Sequence, residues 1–362
     1  MTPYRALRIA KKRLRLLRRA AEKCLGPLHE HQARRMLRPR RRPYEAWLDV
    51  NQPSALGSAA LRLALAQAGK AAPSISVVMP VYRPPLRALQ EAIASVQGQI
   101  LENWELCIAD DSGMETEARE WLREVASLDH RIHLMIREEN GGIAEATNSA
   151  ASIASGEVII FLDQDDLLHK DCLIEIAIYY ASNPTSDIVY TDHDKIDESG
   201  NRFDPSFKPS WSPTLLLSHM YLGHALSVRR SLFKDLSGAR AAFDGAQDFD
   251  LALRLSEKAR HIGHIPRVLY HWRVLPGSTA ASGDAKPESL EAGRLAVAEA
   301  LTRRNIAGKV TQTEWARHRS VGLYEVAFCG DLPKTAVLLP RIEATAALQT
   351  TLKALAKTQY PS

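Results

Sequence analysis

From Ile75 onward short apolar runs alternate with amphipathic stretches, and that alternation leaves few folds open. The runs 75–81, 104–109, 132–136, 158–162 and 188–191 read as strands. Between them, 84–96, 115–127, 143–155 and 171–181 carry helical spacing. Strands separated by helices predict an α/β fold with a doubly wound, mostly parallel sheet and helices on both faces. In such sheets ligands gather at the carboxyl ends of the strands. Three polar clusters fall there: Pro80-Val81-Tyr82, Asp110-Asp111-Ser112 and Asp163-Gln164-Asp165-Asp166. Three at one sheet edge carry more weight than any one alone.

The tetrad 163–166 holds three carboxylates directly after an apolar strand. Such charges repel one another unless a cation joins them. Mg²⁺ or Mn²⁺ shared with a diphosphate fits, because both ions prefer oxygen ligands. A solvated acidic turn capping the next helix is the other reading.

The 362 residues suffice for one large or two ordinary domains. Cys24, Cys107, Cys172 and Cys329 are scattered, which predicts neither a zinc site nor a disulfide framework and fits a reducing compartment. No run of about 18 apolar residues suggests a membrane span, and no apolar stretch follows the basic start as in a signal peptide. The net charge of +5 divides into +13 over residues 1–42 and −8 over the rest. A nucleic-acid partner is therefore not expected of the body. Within 5–23, Leu7, Ala10, Leu14, Leu17 and Ala21 alternate with Lys and Arg, the pattern of a basic amphipathic helix. It suits an anionic membrane surface, with a solvated arm as the alternative.

The span 200–330 is less regular, with helical spacing at 251–259 and 288–304. Val337-Leu338-Leu339-Pro340-Arg341 and the helical Leu348, Leu352 and Leu355 echo Val77-Val78-Met79-Pro80-Val81 and its helix. The organisation expected is a basic arm (1–43), a helical preamble and linker (44–73), the main domain (74–310), a connector (311–333) and the truncated start of a second copy (334–362).

These motifs, with Glu139-Asn140-Gly141-Gly142-Ile143, Asn148, Gln247-Asp248-Phe249-Asp250-Leu251, Arg254 and Pro276-Gly277-Ser278, resemble inverting glycosyltransferases of family 2. The resemblance spans roughly 74–310. It implies the GT-A fold, a Rossmann-like sheet, here preceded by the basic helical arm. The stretches 104–111, Phe207-Lys208-Pro209-Ser210-Trp211 and Tyr270-His271-Trp272-Arg273 further resemble rhamnosyltransferase-like enzymes of bacterial surface polysaccharide (O-antigen-type) assembly, which often carry two catalytic domains in tandem.

The resemblance implies a UDP- or dTDP-sugar donor, a glycan or lipid-linked acceptor, and a peripheral place on the cytoplasmic face of the membrane. Pro80, Tyr82, Asp110 and Asp111 would hold the nucleotide base. Asp110-Asp111-Ser112 also reads as a helix cap. Asn140 and Gly141, with Asn148, would serve the donor, and the helix after Gly142 would favour its phosphates. Asp165 is the expected ligand for Mg²⁺ or Mn²⁺, with Asp163 near the ribose or the metal. Asp248 is the expected general base and Asp250 its rival. Two positions depart from the family pattern: Gln247 stands where many relatives have Glu, and Leu275 where many have a metal-binding His. His271 is the candidate replacement. Trp211, Tyr221, His224 and Trp272 are candidate sugar contacts, since flat rings stack on pyranose faces. Asp192-His193-Asp194-Lys195 reads as a pocket edge or a charged loop. Two other classes stay open: a non-catalytic scaffold of an assembly complex, and a phosphatase resembling the haloacid-dehalogenase-like enzymes. Those enzymes usually carry their Asp-x-Asp on the first strand.

Overall fold

The computed structural model describes residues 43–51, 55–275, 287–329, 345–355 and 357. The arm 1–42, the Pro276-Gly277-Ser278 segment and the 337–341 echo lie outside the described residues.

Two helices open the described chain, α1 (Pro43–Asn51) and α2 (Ala55–Ala68). Then follow β1 (Ile75–Val81), α3 (Leu86–Gln97), β2 (Trp104–Asp110), α4 (Glu117–Leu128), β3 (Ile132–Ile136), α5 (Ile143–Ser152) and β4 (Val158–Phe161). This half is parallel, in the order β3-β2-β1-β4. β1 reads as an apolar run broken only by Ser76 because both of its faces are covered. Val77, Met79 and Ile160 join one core with α3 and α4, while Val78, Cys107 and Ile159 join the other with α5. That split is the period-two alternation of a strand. On α3, Leu89, Ala92, Ile93 and Val96 form the buried stripe. The side chain of Thr116 accepts from the Arg119 N–H at 3.0 Å and caps α4.

The second half comprises β5 (Leu167–Leu168), α6 (Cys172–Ser182), β6 (Ile188–Ile196), β7 (Arg202–Ser206), α7 (Pro213–Ser218), β8 (Leu226–Arg229), α8 (Arg230–Asp235), α9 (Gln247–Lys258) and β9 (Ile262–Arg273). It extends the sheet through β8, β6, β9 and β5, with β7 paired to β6. The β4–β8, β6–β8, β6–β7 and β5–β9 pairs are antiparallel, so the whole sheet is mixed.

Sequence reading stops β6 at 191, but the strand runs on to Ile196. Its last half is polar because Asp192 and Asp194 are buried with partners. Asp192 meets His264 at 2.8 Å, and Asp194 meets His271 and Arg202, each at 2.6 Å. Asp192-His193-Asp194-Lys195 is thus strand and not loop.

After α10 (Pro287–Arg303), β10 (Gly308–Gln312), α11 (Glu314–His318) and β11 (Tyr324–Phe328) form a packed hairpin unit. Val310, Ala316 and Tyr324 are buried, so the expected connector 311–333 is largely structured and the boundary at 310 cuts a strand. Near the end, α12 (Thr345–Leu355) leaves Leu352 half exposed. Cys107 and Cys172 are buried free thiols, and Cys329 is free and exposed.

Candidate active site

A cavity of about 470 Å³ opens at the carboxyl ends of β1, β2 and β4. Pro80, Tyr82, Asp111, Asn140, Asp163 and Asp165 are among the residues that line it. The sheet brings together clusters up to 85 residues apart in sequence. Gln164 locks two of them. Its Oε1 accepts the Tyr82 N–H at 2.7 Å, and its Nε2 donates to the Tyr82 carbonyl at 3.3 Å.

The two carboxylates after β2 have different tasks. Asp110 is buried, accepting from Arg119 Nε and from the Ser112 N–H at 3.0 Å. It anchors the loop and is absent from the cavity lining, against the expectation of base contact. Asp111 lines the cavity and already accepts from Arg137 Nε (2.6 Å), Gly141 N–H (3.0 Å) and Gly142 N–H (3.0 Å). The Asn140 side chain donates to the Asp111 carbonyl at 3.1 Å.

The start of α5 is therefore not an open phosphate seat. Asp111 holds Gly141 and Gly142, and Asp244 Oδ1 accepts the Ala144 N–H at 3.2 Å. Two carboxylates occupy the donors and the positive dipole end that a phosphate would need. Gly142 sits at φ +86°, where a Cβ would lie 2.2 Å from Asp244. Only glycine fits there.

Asn148 also departs from expectation. Its Nδ2 donates to the Ala239 carbonyl and its Oδ1 accepts the Ala239 N–H, both at 2.8 Å. The amide is spent on fastening α5 to the loop before α9. Asn148→Ala is expected to cost about 1–3 kcal/mol, measured by urea denaturation, and to leave nucleotide binding intact.

Beside the cavity, Asp163, Asp166 and His224 each offer a ligand atom, all within 4.8 Å of one another. Tyr270 O–H donates to Asp166 Oδ2 at 2.6 Å, and the Arg273 N–H donates to Oδ1 at 2.7 Å. Those bonds orient the carboxylate. The His224 ring stacks on Tyr270 at 4.7 Å, and its Nε2 lies 3.6 Å from Asp163 Oδ2. Burial pushes the Asp163 carboxyl up to about 6, although 39% of that side chain still meets solvent. Burial, then the charges of Asp163 and Asp165, push Asp166 well above the usual carboxylate range. Burial also pushes His224 down to about 4, which leaves a neutral imidazole.

Two carboxylates resisting ionisation and a neutral imidazole make a donor set suited to a divalent cation. The expected ligand Asp165 stands outside this trio and lines the cavity instead, its carboxyl raised by burial and by Asp163. Without metal, the raised Asp163 stabilises the fold below the ordinary carboxylate range, and that contribution is lost as pH rises through about 6. Mn²⁺ uptake is expected to show the opposite trend, weakening as pH falls through about 6 because Asp163 takes a proton. Electron paramagnetic resonance of free Mn²⁺ would follow it.

His271 does not replace the missing imidazole. Side chains alternate along β9, so Tyr270 and Trp272 share one face and His271 takes the other. There its Nδ1 lies 2.6 Å from Asp194 Oδ1. The imidazole near the carboxylates comes from His224, placed by sequence only among the sugar contacts. Trp272 stays close, its ring 6.0 Å from that of His224. Trp211 lines a separate cavity of about 480 Å³ beside the start of β9, with Tyr179 and His264.

In the first turn of α9 lies Asp248, its carboxyl raised by burial and by the charge of Asp163 but drawn down by His224. Those influences place it in the field of the acid cluster. Asp250, the rival, is fully buried between Arg240 (2.5 Å) and Arg254 (2.9 Å). Both of its oxygens are held by guanidinium groups and neither is open to solvent.

A Rossmann-like sheet with an acidic tetrad beside a cleft at its carboxyl edge defines a GT-A glycosyltransferase domain. Residues 76–237 match the family model for glycosyl transferase family 2, and this segment is a domain of that family. The phosphatase reading is thereby overturned. The chain is 46% identical over 233 residues to "Uncharacterized protein y4gI" of Sinorhizobium fredii, covering 64% of this chain and 26% of that protein. It is 35% identical over 319 residues to "O-antigen biosynthesis protein RfbC" of Myxococcus xanthus, covering 88% and 24%. The chain thus spans about a quarter of the length of both curated relatives. Among solved structures, S. aureus TarS 1-349 in complex with UDP-GlcNAc superposes with a TM-score of 0.52 at 21% identity, covering 63% of this chain and 66% of that one. That likeness speaks to the fold alone.

Proposed function

We propose that this chain transfers a sugar, with inversion, from a UDP- or dTDP-linked donor to a hydroxyl of a glycan or lipid-linked acceptor in cell-surface polysaccharide assembly. The observation that carries it is that the Tyr82–Asp111 cleft and the Asp163/Asp166/His224 trio meet at one sheet edge, with Asp248 on α9 within electrostatic reach of His224 and Asp163. The RfbC relative, by its name an O-antigen biosynthesis protein, supports polysaccharide assembly, and a UDP- or dTDP-linked donor follows from the family resemblance of the cleft residues.

The acceptor oxygen would attack the anomeric carbon from the face opposite the diphosphate. Asp248 takes the acceptor proton as the new C–O bond forms and the bond to the diphosphate breaks. One displacement inverts the anomeric centre. Asp163, Asp166 and His224 would hold Mg²⁺ or Mn²⁺, which when bound supplies positive charge against the leaving diphosphate. Trp272 would bound the acceptor side.

A thermal-shift screen of UDP-, dTDP- and GDP-sugars, with and without Mn²⁺, tests donor and metal together. UDP- or dTDP-sugars are expected to raise the melting temperature, and Mn²⁺ to enlarge the rise. No response to any nucleotide sugar would leave the scaffold reading. An equal rise without Mn²⁺ would remove the metal from the proposal.

Membrane attachment through residues 1–42, on the cytoplasmic inner face, is the second part of the proposal. Their charge of +13 leads into α1, where Trp47 and Val50 are exposed. Trp47 lies 5.0 Å from Phe207, itself 53% exposed. Basic residues beside exposed aromatics suit an anionic lipid interface. Among the described residues no helix is long and apolar enough to cross a membrane. Deleting 1–42 is expected to release the protein from phosphatidylglycerol vesicles in a flotation assay, while transfer to a soluble acceptor continues. Persistent flotation would show that the arm is not the anchor. We also propose that 334–362 opens a second GT-A-like copy, a reading that rests on the sequence echo.

A further inference from the structure

The motif Phe207-Lys208-Pro209-Ser210-Trp211 runs beside β6 and outside the donor cavity. Tyr190 O–H donates to the Pro209 carbonyl at 2.7 Å, and the Lys208 N–H donates to Asp192 Oδ1 at 2.9 Å. Both bonds pin its backbone to the sheet. Lys208 is only 8% exposed, a rare state for an ammonium group. Asp192 bonds the Lys208 backbone and not its side chain. Nζ instead donates to two neutral carbonyls, of Leu222 and, at 2.6 Å, of His224. Burying a charge without a bonded counter-charge costs several kcal/mol, offset here only by the two carbonyls that Nζ reaches.

The geometry in question is the turn 222–224. Gly223 sits there at φ +42°, packed against His193 and the Lys208 ammonium. His193 Nδ1 lies 3.2 Å from the same His224 carbonyl. From this doubly held backbone the His224 ring reaches Tyr270 and Asp163. We propose that Lys208 is a positioning residue: its ammonium clamps the Leu222 and His224 carbonyls and so fixes His224 within the acid cluster.

The metal half of the test rests on the cation reading proposed above; the ring-position half does not. The full chain would be labelled with ring-¹³C histidine, with His224→Gln assigning the His224 signal. In wild type that signal should carry the ring-current shift of stacking on Tyr270. Lys208→Met should move it toward an unstacked histidine and weaken Mn²⁺ binding roughly 10–100-fold, read from free Mn²⁺ by electron paramagnetic resonance. A folded Lys208→Met protein with an unmoved His224 signal would overturn the proposal. Should Lys208→Met not fold, Lys208→Gln decides, because its shorter amide cannot span both carbonyls. A displaced His224 signal supports the clamp and an unmoved one overturns it. If wild type takes up no Mn²⁺, the cation reading fails by itself, and the His224 signal still decides the role of Lys208.

Discussion

Asp248→Asn is expected to lower sugar transfer by roughly 10²–10⁴-fold while the nucleotide sugar still binds. Asparagine keeps the shape and the first turn of α9 but cannot accept a proton. The raised carboxyl of Asp248 suits a base, because a group easier to protonate removes the acceptor proton more readily. Calorimetry with the donor should give an affinity within a few-fold of wild type, and turnover assays should show the loss in kcat. Unchanged turnover would move the base elsewhere and leave Asp248 as a helix-capping carboxylate.

Two residues further on, Asp250→Asn should fail in a different way. The carboxylate accepts from Arg240 Nε at 3.0 Å and from Arg254 Nε at 2.9 Å. Arg254 is 7% exposed and also donates to the Leu236 and Gly238 carbonyls. Removing the counter-charge leaves a buried guanidinium unpaired, at a cost of about 3–5 kcal/mol. The damage should spread to Ala239, since the same loop holds Asn148 and hence α5. The expected result is a lower urea midpoint, with the folded fraction retaining turnover. A variant as stable as wild type but unable to transfer would make Asp250 the base after all. The pair thus separates a catalytic carboxylate from a structural one within a single helical turn.

The contrast shows what one dimension can carry. Sequence prefers Asp248 as the base but leaves Asp250 its rival, since both belong to the same motif and open the same helix. What distinguishes them is the arginine each one meets or does not meet. Arg254 meets Asp250 one helical turn on, at i+4 of α9, but Arg240 approaches only once the loop 236–246 has folded back on that helix. Likewise, Asn140, Gly141 and Gly142 look like an open anion seat until Asp111 and Asp244 arrive from other loops.

Apolar periodicity alone determined the parallel half of the sheet, because central strands and amphipathic helices announce themselves by their burial pattern. It likewise set Pro80-Tyr82, Asp111 and the 163–166 tetrad at one sheet edge, since strand ends in a doubly wound fold share a side. The polar end of β6 escaped it, because buried Asp192 and Asp194 look like loop residues until their histidine and arginine partners are seen. Only the tertiary structure chose His224 over His271. The two are 47 residues apart, and nothing local says which imidazole meets the acid cluster. The side-chain alternation along β9 and the turn at Gly223 decide it, turning His271 toward Asp194 and His224 toward Asp163.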